Sequence, residues 1–189
     1  DGTGDERGPY LAFVGRMDPT KGVGTAIDVA RAAGWRLLIA AKMRDEGEIS
    51  YYERDVAPRC TDGIDYVGEV GPPDKARLIG GAAALLNPIR WPEPFGLVML
   101  EALAIGTPVI TTPCGAAPEI VAHCRTGFVC DDARQMVDAV GSIDRIDRRR
   151  CRARARRLFS TGEMVARHVR AYRELLVDDR VAIPLRRRA

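Results

Sequence analysis

Trp91-Pro92-Glu93-Pro94-Phe95-Gly96-Leu97-Val98-Met99-Leu100-Glu101-Ala102-Leu103-Ala104 is the stretch around which the rest of the chain is organised. Two prolines and a glycine mark a turn, and from Phe95 to Ile105 every residue except Gly96 and Glu101 is hydrophobic. That pattern predicts a helix buried nearly all round, entered from a tight loop. A lone carboxylate on such a helix is costly unless something hydrogen-bonds it. Gly96 allows backbone to come close to a ligand, and the free N–H groups that follow it form an anion site. One short segment therefore offers a loop carboxylate (Glu93), a helix N-terminus and a helical carboxylate (Glu101).

Outward from that stretch, apolar runs of strand length alternate with helical patterns. Tyr10-Leu11-Ala12-Phe13-Val14 ends in Gly15 and reads as a buried parallel strand; residues 36–41, 64–67, 83–87, 109–111 and 127–130 repeat the theme. Helices are predicted over 25–33, around 48–56, after the pair Pro72-Pro73, and over 133–143, 148–159 and 164–176. Strands that alternate with helices define an α/β fold: a doubly wound, mostly parallel, Rossmann-like sheet of about six strands with a helical C-terminal region. Residues 1–9 read as a polar linker, 10–177 as the domain, and 178–189, with Pro184 and Arg186-Arg187-Arg188, as a frayed tail.

Composition narrows the function classes. At 189 residues and 46% hydrophobic content the chain can bury one proper core, and 29% charge of mixed sign argues against disorder. A net charge of +3 implies no nucleic-acid partner. Five cysteines without a C-x-x-C pair and only two histidines, His123 and His168, give neither zinc-ligand spacing nor a disulfide framework. A reducing cytoplasm is the expected location, with no signal peptide and no apolar run long enough to span a membrane. Arg145, Arg148, Arg149, Arg150, Arg152, Arg154, Arg156 and Arg157 crowd one helical stretch. Its plainer reading is a solvated face with Cys151, Ala155 and Leu158 turned inward. The alternative is peripheral contact with anionic membrane lipid.

In an open α/β sheet, ligands bind at the carboxyl ends of the strands. The first such loop reads Gly15-Arg16-Met17-Asp18-Pro19-Thr20-Lys21-Gly22. It is neither a Walker A loop nor a G-x-G-x-x-G fingerprint, because Lys21 precedes its glycine and Gly15 and Gly22 stand too far apart. It offers two cations at a strand end, suited to a diphosphate without a metal. The competing reading is ordinary surface charge. Likewise, Glu93 could be a simple turn carboxylate and Glu101 could satisfy a buried backbone group or an arginine. Taken together, cations, a helix N-terminus and two carboxylates suit a sugar nucleotide.

The order and wording of these pieces resemble the family 4 glycosyltransferases, retaining sugar-nucleotide enzymes of GT-B fold. The resemblance is carried by Gly15-Arg16 with Lys21-Gly22, Tyr66-Val67-Gly68-Glu69-Val70, Glu93-Pro94-Phe95-Gly96-Leu97 with Glu101-Ala102, Gly106-Thr107-Pro108-Val109-Ile110, and Gly115 with Pro118-Glu119. It spans about residues 10–172 and matches the C-terminal, donor-binding half of such an enzyme; the resemblance implies an N-terminal acceptor-binding domain outside this sequence. The resemblance implies that Arg16 and Lys21 grip the donor diphosphate and stabilise it as it leaves. Glu93 would sit by the donor sugar, and the N–H groups of Phe95, Gly96 and Leu97 would meet sugar hydroxyls and the distal phosphate, with Val98 beside them. Glu101 would accept from the ribose hydroxyls, Gly15 would be a further substrate-binding residue, and Val70 would lie where the family packs or hydrogen-bonds the base. The donor implied is a UDP-, GDP- or ADP-sugar, with no cofactor and, since no D-x-D pair occurs, no metal. A non-catalytic nucleotide-sugar-binding or scaffold domain, or another GT-B enzyme such as an epimerase, is the alternative. Where many relatives carry a glycine-rich turn after the second strand, this chain has Ala40-Ala41-Lys42-Met43.

Overall fold

The computed structural model describes residues 8–177. Six strands, β1 (Tyr10–Arg16), β2 (Arg36–Lys42), β3 (Ile64–Gly68), β4 (Ala84–Asn87), β5 (Val109–Thr111) and β6 (Gly127–Val129), form one sheet in the order β3-β2-β1-β4-β5-β6. Every pairing is parallel. Parallel strands are covered on both faces, which is why they read as unbroken apolar runs: Leu11, Ala12, Phe13, Leu37, Ile39, Leu85, Leu86, Val109 and Ile110 are all buried.

The helices are α1 (Val23–Ala33), α2 (Glu46–Tyr51), α3 (Pro72–Gly81), α4 (Leu97–Ile105), α5 (Ala117–Ile120), α6 (Ala133–Val140), α7 (Arg148–Phe159) and α8 (Thr161–Val177). The chain steps from β1 through β2 to β3 in one direction, then crosses back to place β4 on the other side of β1. With right-handed crossovers, that reversal sends α1 and α2 to one face and α3 and α4 to the other. The packing agrees, with α1 against α6, and α4 against both α3 and α7. Between β1 and β4 the loops at the carboxyl ends diverge and open a crevice.

Several expectations need correction. The stretch around 48–56 begins earlier, at Glu46, and continues beyond α2 as a π-helical turn over Tyr52–Val56. The helix expected over 133–143 stops at Val140, followed by a separate 3-10 turn at Ile143–Arg145. Helix α4 is not buried all round: Met99, Ala102 and Leu103 face the core, but Leu97 is 66% exposed and the preceding Phe95 50%. Nor is α7 simply a solvated arginine face. Arg148 donates to the carbonyls of Ala82 (3.1 Å) and Gly80 (2.8 Å) and to Thr107 Oγ1 (2.9 Å). Arg152 donates to Ile105 O (3.1 Å), and Arg154 to Ile120 O and Glu119 O, both at 2.6 Å. These three side chains satisfy carbonyls left over where α3, α4 and α5 end. Cys151 and Ala155 do face inward, as expected. The tail 178–189 and residues 1–7 of the predicted linker lie outside the described residues.

Candidate functional site

The crevice holds a cavity of about 560 Å³, and all ten positions singled out in the sequence line it. Each arrives by a local reason. Gly15 and Arg16 are the last residues of β1. Lys21 ends a 3-10 turn, Pro19–Lys21, capped by Asp18, whose side chain accepts the Thr20 N–H at 2.7 Å. The Thr20 hydrogen bonds, chiefly that of its hydroxyl, hold the Asp18 carboxyl below its ordinary range. Val70 follows β3 in the loop before α3. Glu93, Phe95 and Gly96 occupy the loop between β4 and α4, Leu97 and Val98 open α4, and Glu101 stands one turn further on.

The loop carrying Glu93 is fixed by backbone contact. Gly96 takes a left-handed conformation (φ 75°), which turns the chain sharply into the free N–H groups of α4. Gly115 (φ 58°) lies flush against the same loop: a Cβ there would fall 2.3 Å from Glu93 O and 2.4 Å from Glu93 N. The Ala116 N–H then donates to Glu93 O at 2.9 Å. Glycine at 115 is therefore a condition for Glu93 being where it is.

The charges pair across the cavity. Lys21 Nζ is 2.5 Å from Glu93 Oε2 and sits 4.7 Å from the centre of the Trp91 ring. Trp91 Nε1 donates to the same oxygen at 3.2 Å. Glu101 Oε1 accepts from Lys75 Nζ at 2.6 Å, so its expected burial gives way to a half-exposed position with a cationic partner. Arg16 donates from Nε to Glu48 Oε1 at 2.5 Å. Beneath the loops, Asn87 is buried and donates to Thr111 Oγ1 at 3.1 Å, which in turn donates to Asn87 O at 2.9 Å.

Sequence reading missed Lys75, Glu48 and Trp91 as members of this cluster. Lys75 gave no signal, since its partner is 26 residues away. Glu48 had a faint one: Asp45-Glu46-Gly47-Glu48 is a capping-box pattern, and Asp45 does accept the Glu48 N–H at 3.0 Å. The Ala40-Ala41-Lys42 wall, which departs from a glycine-rich turn, lines the cavity beside Gly15 and Arg16.

A Rossmann-like domain with a cavity at its topological switch point, bordered by cations and carboxylates, defines the class of protein. The chain belongs to the glycosyl transferases of group 1, whose family model matches residues 8–143. It is 35% identical over 127 residues to alpha-maltose-1-phosphate synthase of Mycolicibacterium smegmatis, covering 64% of this chain and 33% of that protein. Among solved structures it resembles AviGT4, a glycosyltransferase involved in avilamycin A biosynthesis, with a TM-score of 0.72, 28% identity, and coverage of 89% of this chain and 52% of that one. Anabaena Alr3699/HepE, solved in complex with UDP-glucose, shares the fold at a TM-score of 0.72 and 18% identity, over 88% of this chain and 49% of that one. The chain thus spans about a third of the length of that curated relative and about half that of the solved structures.

Proposed function

We propose that this chain is the donor-binding part of a retaining, metal-independent glycosyltransferase that moves a sugar from a nucleoside diphosphate sugar to an acceptor. The observation that carries the reading is the convergence of Arg16, Lys21, the α4 N-terminus and two carboxylates on one cavity at the switch point. Arg16 and Lys21 take the diphosphate, together with the free N–H groups at the start of α4. Glu101 accepts from the ribose hydroxyls. Glu93 faces the donor sugar, where it holds hydroxyls and steadies positive charge at the anomeric carbon.

In the reaction, the bond between the anomeric carbon and the phosphate oxygen breaks, and its electron pair goes to the diphosphate. The acceptor oxygen bonds to the same face of the sugar and passes its proton to the departing phosphate. Lys21 and Arg16 neutralise the charge that develops on the leaving oxygen, the largest kind of catalytic contribution for such a step. For this, Lys21 exchanges Glu93 for phosphate. Since the relatives are longer, turnover is proposed of the whole protein and only donor binding of this chain.

Titration calorimetry with UDP-, GDP- and ADP-sugars tests the reading; UDP-glucose, the ligand in the HepE structure, comes first. One base class should bind measurably and the others at least roughly tenfold more weakly, about 1.4 kcal/mol. A folded sample that binds none of the three sinks the donor-site reading.

A further inference from the structure

Glu48 is the one buried charged side chain among the described residues, at 4% exposure, and it does not line the cavity. Burying a carboxylate is costly unless it is paired and hydrogen-bonded, and here both oxygens are. Oε1 accepts from both Nε and Nη2 of Arg16, each at 2.5 Å, and Oε2 accepts the backbone N–H of Arg44 at 2.6 Å. The carboxylate itself is anchored, because Glu48 sits in the first turn of α2 with its own N–H on Asp45 Oδ1. Asp45 Oδ2 lies 3.6 Å from Arg16 Nη2 as well.

We infer that Glu48 is the positioning residue of the site: it fixes the Arg16 guanidinium so that its outer edge faces the cavity, an inference that rests on the donor-site reading above. A guanidinium has five N–H donors in a rigid fork. Glu48 occupies the Nε–Nη2 edge, which leaves the Nη1 edge for a phosphate. Arg16 is the exposed last residue of a strand, and an arginine held by nothing loses considerable rotamer freedom on binding. Glu48 removes that freedom beforehand. It also ties the loop after β2 to the end of β1 through the Arg44 N–H, and Arg44 Nη2 reaches Glu69 Oε1, at 3.0 Å, in the loop after β3. Glu48 and Arg44 together thus link three adjacent strand ends into a single wall.

A carboxylate against Arg16 could instead act as a plain neutraliser, and the two roles have opposite signs. Calorimetry with the nucleoside diphosphate that the wild-type chain binds should show Glu48→Gln weakening affinity roughly fivefold to tenfold, less than the loss of a direct charged hydrogen bond because Arg16 itself remains. A neutraliser would make the same variant bind more tightly. In an Arg16→Ala background, Glu48→Gln should cause no further loss, because the effect runs through Arg16. Glu48→Asp, which keeps the charge on a shorter arm, should fall between wild type and Glu48→Gln and serves if the amide variant folds poorly. Unchanged or tighter binding by Glu48→Gln, or losses that multiply in the double variant, overturn the inference alone. A wild-type chain that binds no nucleoside diphosphate overturns the donor-site reading and the inference with it.

Discussion

Lys21 makes the clearest case at the scale of one residue. Its ammonium is shared between Glu93 and the face of Trp91. On the proposed roles, removing Lys21 deletes a phosphate-binding cation, whereas removing Glu93 frees one. Lys21→Ala should therefore weaken binding of free nucleoside diphosphate by roughly tenfold to a hundredfold, as loss of a charge-assisted hydrogen bond does. Glu93→Ala should leave it unchanged or slightly tighter. Calorimetry with the free diphosphate checks the order, and a larger loss for Glu93→Ala would overturn the roles. Both residues were legible in the sequence because the spacing of Glu93, Gly96 and Glu101, and the cations of the first loop, sit within short motifs. Their partners were not. Lys75 and Glu48 meet Glu101 and Arg16 only across 26 and 32 residues of chain, and a single sequence does not encode such pairings as local pattern.

Among elements, α7 departs most from its sequence pattern. Eight arginines between 145 and 157 look like a charge run that needs water, yet three of them bend back onto helix ends. Burial lowers the pKa of Arg148 and Arg154, the mark of guanidinium groups drawn partly out of solvent. Arg148→Ala strips partners from two carbonyls and from Thr107 Oγ1, which is buried. It should cost about 2–3 kcal/mol and lower Tm by roughly 4–12 °C in thermal melts. Arg149→Ala, on the exposed side of the same helix, should move Tm by no more than a degree or two, within about 0.5 kcal/mol. Helix periodicity placed Cys151 and Ala155 inward but could not tell a bracing arginine from a solvated one. The side chain is long enough for either, and the carbonyls it meets belong to other elements. Helix α8, expected over 164–176, runs over Thr161–Val177, and Val165, Val169, Tyr172 and Leu176 are all exposed along it.

For the molecule as a whole, alternation of strand and helix patterns announced a parallel sheet, and the six strands stand near their predicted limits. The order β3-β2-β1-β4-β5-β6 was not in any local pattern, although it is what opens the crevice between β1 and β4. Global stability should carry the imprint of groups buried in their neutral form. Burial pushes the thiols of Cys130 and Cys151 up to about 11 from 9.0 and raises the phenols of Tyr51, Tyr52 and Tyr66. Between those values the folded chain binds more protons than the unfolded one, so stability should fall as pH rises from about 9 to about 11. Urea unfolding followed across that window checks the sign, and Cys130→Ala with Cys151→Ala should flatten the slope. Below it, a thiol reagent should label the exposed Cys124 first and reach Cys130 and Cys151 only on unfolding.

The way the site pairs its charges has one more consequence. Arg16, Lys21, Lys42 and Lys75 border the cavity with Glu69, Glu93 and Glu101, and Glu48 stands behind Arg16. Cations and carboxylates are thus equal in number, and beyond the Debye length of about 10 Å they nearly cancel. An approaching diphosphate would feel little steering from afar and would meet its cations only on contact. Its association rate should accordingly be modest and only weakly dependent on ionic strength, in contrast to enzymes that draw phosphates in with an open basic funnel.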